Sequence, residues 1–251
     1  MGKKTPMIAV AVVLAVLVAA AGCSGGASYA VSEHDGFLPP VRFLFDGSEP
    51  CELSNSFPAF VIRDSFTDED GFRWQVDGYF FCFDRDFYVE LFGREVGGHR
   101  GDIEGVWILS SPHRDVVVTA VSAHFHLEIR TNPGLGEDGY LDFFVERGKH
   151  GVHYEAGTHR TLGFPIIANG DGESFSRGWF DAMPVYSGSE GARALRERFL
   201  AELELGWASD SFRVEPITAP LENHEFYRGI LRAAAECQER ITIGSLLAAQ
   251  T

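Results

Sequence analysis

Between Val41 and Gly157 the chain is a succession of short aromatic and β-branched segments, each closed by a polar or glycine-containing turn. They are VRFLFD (Val41–Asp46), AFVIRD (Ala59–Asp64), RWQVDGYFFCF (Arg73–Phe83), FYVELFG (Phe87–Gly93) and GVWIL (Gly105–Leu109). DVVVTAVSAHFHLEI (Asp115–Ile129), YLDFFVE (Tyr140–Glu146) and GVHYEAG (Gly151–Gly157) follow. Residues of this kind fit a pleated, half-buried surface, and turn-bounded runs at this spacing predict an antiparallel sandwich or barrel. The chain carries 21 phenylalanines, and their placement is mostly strand-like.

The C-terminal third changes period. Ala192, Leu195, Phe199 and Leu203 recur at helical spacing within Ser189–Leu205, with Ser189 as a reasonable N-cap. Arg193, Arg196 and Arg198 interleave there with Glu197, Glu202 and Glu204, as on a solvated helix face. Glu222–Arg240 predicts a second helix with Phe226, Ile230 and Ala233 or Ala234 on one face. With no internal repeat and no linker, the expected fold is α+β: a single-domain antiparallel β-sandwich with helices packed on the outside, mainly from the C-terminal third.

The first residues stand apart from that domain. Lys3 and Lys4 precede an apolar run from Ile8 to Ala21, which ends in Ala20-Ala21-Gly22-Cys23. The run is too short for a transmembrane span, which needs about 20 apolar residues, and reads as a signal peptide. A cysteine directly after Ala-Ala-Gly resembles a bacterial lipobox, which makes Cys23 the lipidation site. The expected organisation is therefore a signal peptide of lipoprotein type over residues 1–22, a lipid-anchored flexible tether over 23–36, and the folded domain over 37–251. The protein is expected to be exported and held in the bacterial cell membrane or outer envelope, plain secretion being the alternative. Loss of Lys3 and Lys4 takes the net charge from −15 to −17. Such an acidic chain is a poor partner for nucleic acid or an anionic lipid surface.

Export permits disulfides. Beyond Cys23 the cysteines are Cys51, Cys82 and Cys237. Cys51–Cys82 is the favoured pair, because the two flank a probable strand pair, and Cys51–Cys237 competes with it. No spacing is of the CxxC type, so thiolate-bound zinc is not expected.

The chain has no GxSxG, P-loop, HExxH or glycine-rich dinucleotide turn. Its histidines carry more information: His99, His124, His126, His150, His153 and His159 all lie in the β-region among acids. In His99-x-x-Asp102-x-Glu104 the two carboxylates are two residues apart, so on one strand they face the same side. His99 lies three residues earlier, on a glycine-bounded loop that can fold back beside them. One imidazole and two carboxylates suit a divalent cation such as Mg²⁺, Mn²⁺ or Ca²⁺. The bland alternative is a surface turn with a solvated acid pair. His124 and His126 read as sharing one strand face, and His159 closes a strand in Gly-Thr-His-Arg. These positions edge strands, where sandwiches gather their functional loops.

At GHRGDIE, Gly98 to Glu104, the chain resembles the hallmark heptapeptide GHRHDWE of the necrosis- and ethylene-inducing-like proteins. Gly98, His99, Arg100, Asp102 and Glu104 agree with that pattern, whereas Gly101 stands for its histidine and Ile103 for its tryptophan. EPCELSNSFPAFVI, GYFFCFDRD, SAHFH, GTHR and SEGARALRERF resemble further family segments in the same order along the chain. These are secreted single-domain β-sandwich proteins that include plant cytolysins. The resemblance implies a divalent cation at the sandwich rim, held by His99, Asp102 and Glu104 together with His159 and Asp86, with Asp84 competing for the last place. Gly101 cannot ligate, and the lost tryptophan affects target recognition more than the metal. In that family the target is a plant sphingolipid head group, and the activity is membrane damage rather than catalysis.

The leading functional expectation is a binding module whose cation holds a glycan or lipid head group, with Arg100, His124 and His126 at the rim of the ligand site. A cytolysin tethered to its producer by Cys23 would be poorly placed to reach a host. One alternative is a metal-dependent hydrolase with His124 or Glu104 as general base. Another is a structural envelope lipoprotein.

Overall fold

The computed structural model describes residues 40–47, 53, 58–87, 89–92, 94–96, 99–123, 126–161, 164–186 and 224–243. The strands are β1 (Val41–Phe45), β2 (Ala59–Thr67), β3 (Arg73–Asp86), β4 (Val89–Leu91), β5 (Arg94–Val96), β6 (His99–Ser111), β7 (Val116–Ala123) and β8 (His126–Thr131). They continue with β9 (Leu141–Val145), β10 (Val152–His153), β11 (Gly157–Thr161), β12 (Phe164–Ala168), β13 (Ser174–Ser176), β14 (Val185–Tyr186) and β15 (Arg240–Thr242). Two helices are described, α1 (Arg177–Phe180) and α2 (His224–Ala235). The described residues are thus mostly β, with few helices.

A seven-stranded sheet runs β14-β2-β3-β6-β7-β8-β15, and a four-stranded sheet runs β10-β9-β1-β13; neither closes on itself. β11 and β12 form a separate ladder, as do β4 and β5. Strand alternation divides the apolar residues of the larger sheet between two clusters. Tyr79, Phe81 and Phe83 of β3, with Val106 and Ile108 of β6, join Val41, Phe43, Phe45, Leu141, Phe143 and Val145 of the smaller sheet in one core. Phe80 and Cys82 of β3, with Trp107 and Leu109 of β6, join Phe226, Tyr227, Ile230 and Ala233 of α2 in the other. Burial on both faces explains why β3 reads as the nearly unbroken apolar run YFFCF. Phe81 is fully buried and meets Phe43 edge-on at 5.0 Å and Phe180 at 5.1 Å.

Several expectations change. The strands are predominantly antiparallel, but β1 pairs with β9 and β14 with β2 in parallel. These partners lie far apart in the chain, so no hairpin fixes their direction. Asp115–Ile129 reads as one strand but is a hairpin, since Ala123 pairs with His126. β12, β13, β14 and β15 are strands that the aromatic runs do not announce. The second predicted helix is real but shorter. It ends at Ala235, and Cys237 then takes a left-handed φ of 54° beyond the last turn, a common helix stop.

The Cys51–Cys82 pairing is not made. Cys82 keeps a buried thiol, because alternation turns its side chain into the core shared with α2. Cys237 is disulfide-bonded instead. The signal peptide, the tether with Cys23, Cys51 itself and the Ser189–Leu205 helix lie outside the described residues. Among the described residues no helix is long and apolar enough to cross a membrane.

Phe81→Ala would leave a cavity where the aromatic rings of the shared core converge. It is expected to destabilise the fold by about 3–5 kcal/mol, read as a lowered urea midpoint with an unchanged slope.

Candidate functional site

β6 builds the site by keeping one pleat. Val106 and Ile108 enter the shared core, and the two-residue period puts Glu104 and then Asp102 on that same face as the apolar residues run out. Both carboxylates are buried, Asp102 at 9% and Glu104 at 6% relative exposure. The predicted sharing of one face is therefore met.

Glu104 accepts a hydrogen bond from Ser122 Oγ on β7, and the same oxygen accepts the Gly105 N–H at 2.8 Å. Gly105 has to be glycine. A Cβ there would stand 2.6 Å from the Tyr79 carbonyl oxygen and 2.5 Å from the Phe80 ring. Burial pushes the Glu104 carboxyl well above the ordinary carboxylate range, and the charges of Asp102, Asp86 and Glu146 push the same way. The Ser122 hydroxyl offsets only part of this. Four carboxylates thus crowd one end of the core.

The basic partners come from the turn between β9 and β10. Lys149 places its ammonium on Asp86, the last residue of β3, and both side chains are buried. His150 lies flat on Phe83, ring centroids 3.7 Å apart, and brings Nδ1 within 3.5 Å of Asp102 Oδ2. That is an ion-pair distance, and neither of these two buried atoms has a hydrogen bond. His153 Nε2 is 2.7 Å from Glu146 Oε1, and its Nδ1 is 3.4 Å from Glu128 Oε1. Burial would lower the His153 pKa, but Glu128 and Glu146 outweigh it and raise it to about 9. His159 stacks on His153 at 3.6 Å, and burial followed by the His153 charge lowers its own pKa.

Of the residues marked in the sequence, Asp86, Asp102 and Glu104 come together. Asp84, the competing residue, is only partly buried. His99 and Arg100 open β6, their backbones in register with Asp86 and Arg85. His159 joins at one remove, through His153 and Glu146. His126 opens β8 between Ala123 and Thr242, and His124 lies outside the described residues. Glu146 and Lys149 escape the sequence reading, which also gives His150 and His153 no role. The only signal is density of charge: ERGKHGVH, Glu146 to His153, packs acid, base and histidine around two glycines.

No family model matches the chain. No curated protein matches it either. Among solved structures it is similar to one described as "Toxin fold for microbial attack and plant defense". The likeness has 12% identity and a TM-score of 0.31, and covers 62% of this chain and 74% of that one.

The His153 linkage gives a pH test. Its folded pKa of about 9 lies above the ordinary value of 6.5, so its contribution is complete below pH 6.5 and is lost as pH rises through 9. Wild type should lose on the order of 2–3 kcal/mol more than His153→Gln across that window, measured by urea unfolding at stepped pH.

Proposed function

We propose that this chain is an exported, lipid-anchored β-sandwich protein, distantly related to the necrosis- and ethylene-inducing-like proteins. In this reading it uses a divalent cation at the acid-rich end of the sandwich to hold a glycan or lipid head group. The single observation that carries the proposal is the convergence of Asp86, Asp102, Glu104 and Glu146. Burial first, and the charges of the other three after it, drive Glu104 toward protonation, and a cation would relieve the repulsion among them. The donors are hard oxygens, which suit Ca²⁺, Mg²⁺ or Mn²⁺ rather than a thiophilic metal. Asp102 Oδ2, buried and without a hydrogen bond, has ligating capacity to spare.

Asp102 and Glu104 would be the central ligands, with Asp86 beside them and His99 and His159 as the outer members. When bound, the cation would supply open coordination positions for sugar or phosphate oxygens. Among the described residues no three such side chains are set closely enough to hold an ion as they stand. Loading therefore requires a local rearrangement. Within the sandwich, the core shared by the two sheets would serve as the rigid base for that movement. The heptapeptide-like segment supports the family reading, and Ala-Ala-Gly-Cys23 supports the anchor.

Isothermal titration of the purified chain with CaCl₂, MgCl₂ and MnCl₂ should show saturable, near one-to-one binding by at least one ion. Asp102→Asn should abolish it. Absence of heat with all three ions would overturn the cation site. Glu104→Gln removes the cost of burying an ionisable carboxyl among other acids while keeping the shape. It is expected to raise the melting temperature of the chelator-treated protein by about 2–4 °C while weakening cation binding, as a site kept at some expense of stability would.

A further inference from the structure

The turn from Glu146 to Gly151 is built to deliver two bases inward. Glu146 N–H donates to the Gly151 carbonyl, Arg147 N–H to Ile167 of β12, and Phe87 N–H to Gly148, each at 2.9 Å. The turn is thereby tied to β12 on one side and to the end of β3 on the other. Gly148 has φ +74°, and a Cβ there would come within 2.8 Å of the Phe87 carbonyl oxygen. His150, which is not glycine, takes φ +59°. Left-handed backbone at such a residue is strained and persists only where the surroundings enforce it.

What this strained turn achieves is the burial of a lysine. Lys149 is 7% exposed, and lysine is almost never buried unless paired. Its ammonium lies on Asp86, in a cluster where Asp86, Asp102 and Glu146 all act on Glu104. A primary ammonium and a divalent ion compete for the same resource, the carboxylate oxygens.

We propose that Lys149 is a tethered internal cation that occupies Asp86 and sets how tightly a divalent ion can bind this cluster. Divalent binding is then an exchange: the ammonium leaves Asp86 as the ion arrives. The neighbouring His150 shares the same turn, so its contact with Asp102 loosens in the same movement. Lys149 is in this sense a gatekeeper of affinity rather than a ligand. The inference rests on the cation reading above and adds the residue that tunes it.

The test is calorimetric titration of wild type, Lys149→Met and Asp102→Asn/Lys149→Met with CaCl₂ and MnCl₂ at neutral pH, alongside melting curves with and without the ion. Removing one positive charge a few ångströms from the seat should tighten binding roughly tenfold or more. Lys149→Met should melt lower than wild type in chelator and recover when the ion is added. The added Asp102→Asn should cancel both effects. Lys149→Gln, which keeps a hydrogen-bond donor without the charge, reads the same way if the methionine variant does not fold. A folded Lys149 variant that binds no more tightly than wild type would overturn the exchange while leaving the cation site standing. Absence of binding in every variant would overturn both.

Discussion

Strand β6 continues one face from an apolar core into an acidic pocket, and most of what is distinctive here follows from that pleat. Ile108 and Val106 are enclosed by aromatic residues of both sheets; Glu104 and Asp102, on the same side, are enclosed too. A carboxylate carried inward costs several kcal/mol unless something answers its charge. Ser122 answers Glu104 with a hydroxyl and His150 answers Asp102 with a ring nitrogen; beside them Lys149 lies on Asp86, and the two nitrogens of His153 face Glu146 and Glu128. The contacts of Ser122 and His150 therefore follow from where the strand places its acids.

The energetic burden falls on one short turn. Lys149 and His150 reach the acids only because Gly148 approaches the Phe87 backbone closely and His150 accepts a left-handed conformation. Such devices are typical of sites kept for function at some cost to stability. The stacked His153 and His159 pass the influence of the acids to a more exposed histidine, so protonation at His153 is felt at His159. Packing, strain and charge thus meet in a few residues at one end of the core.

Parts of this were legible in the chain. The two-residue spacing of Asp102 and Glu104 gave their shared face, because strand geometry fixes it locally. The face of α2 was legible for the same reason, through Phe226, Ile230 and Ala233. The β7–β8 hairpin was not. Ser122 to His126 contains no glycine, proline or asparagine to mark the reversal, and only the Ala123–His126 pairing reveals it. The Cys51–Cys82 expectation failed because proximity of strands says nothing about which face a cysteine takes. Lys149 was invisible because its partner Asp86 lies 63 residues away.

By itself the sequence determined the β-rich character, the strand-like placement of the phenylalanines, and the pair of acids on one strand, all consequences of residue type and a period of two. Tertiary structure alone decided which strands run parallel, which cysteine bonds, and which bases answer the acids. Those outcomes depend on contacts between segments distant in the chain, whose register and facing no local periodicity encodes. GHRGDIE marks where two of the acids stand; the fold supplies the histidine that meets Asp102 and the lysine that meets Asp86 beside them.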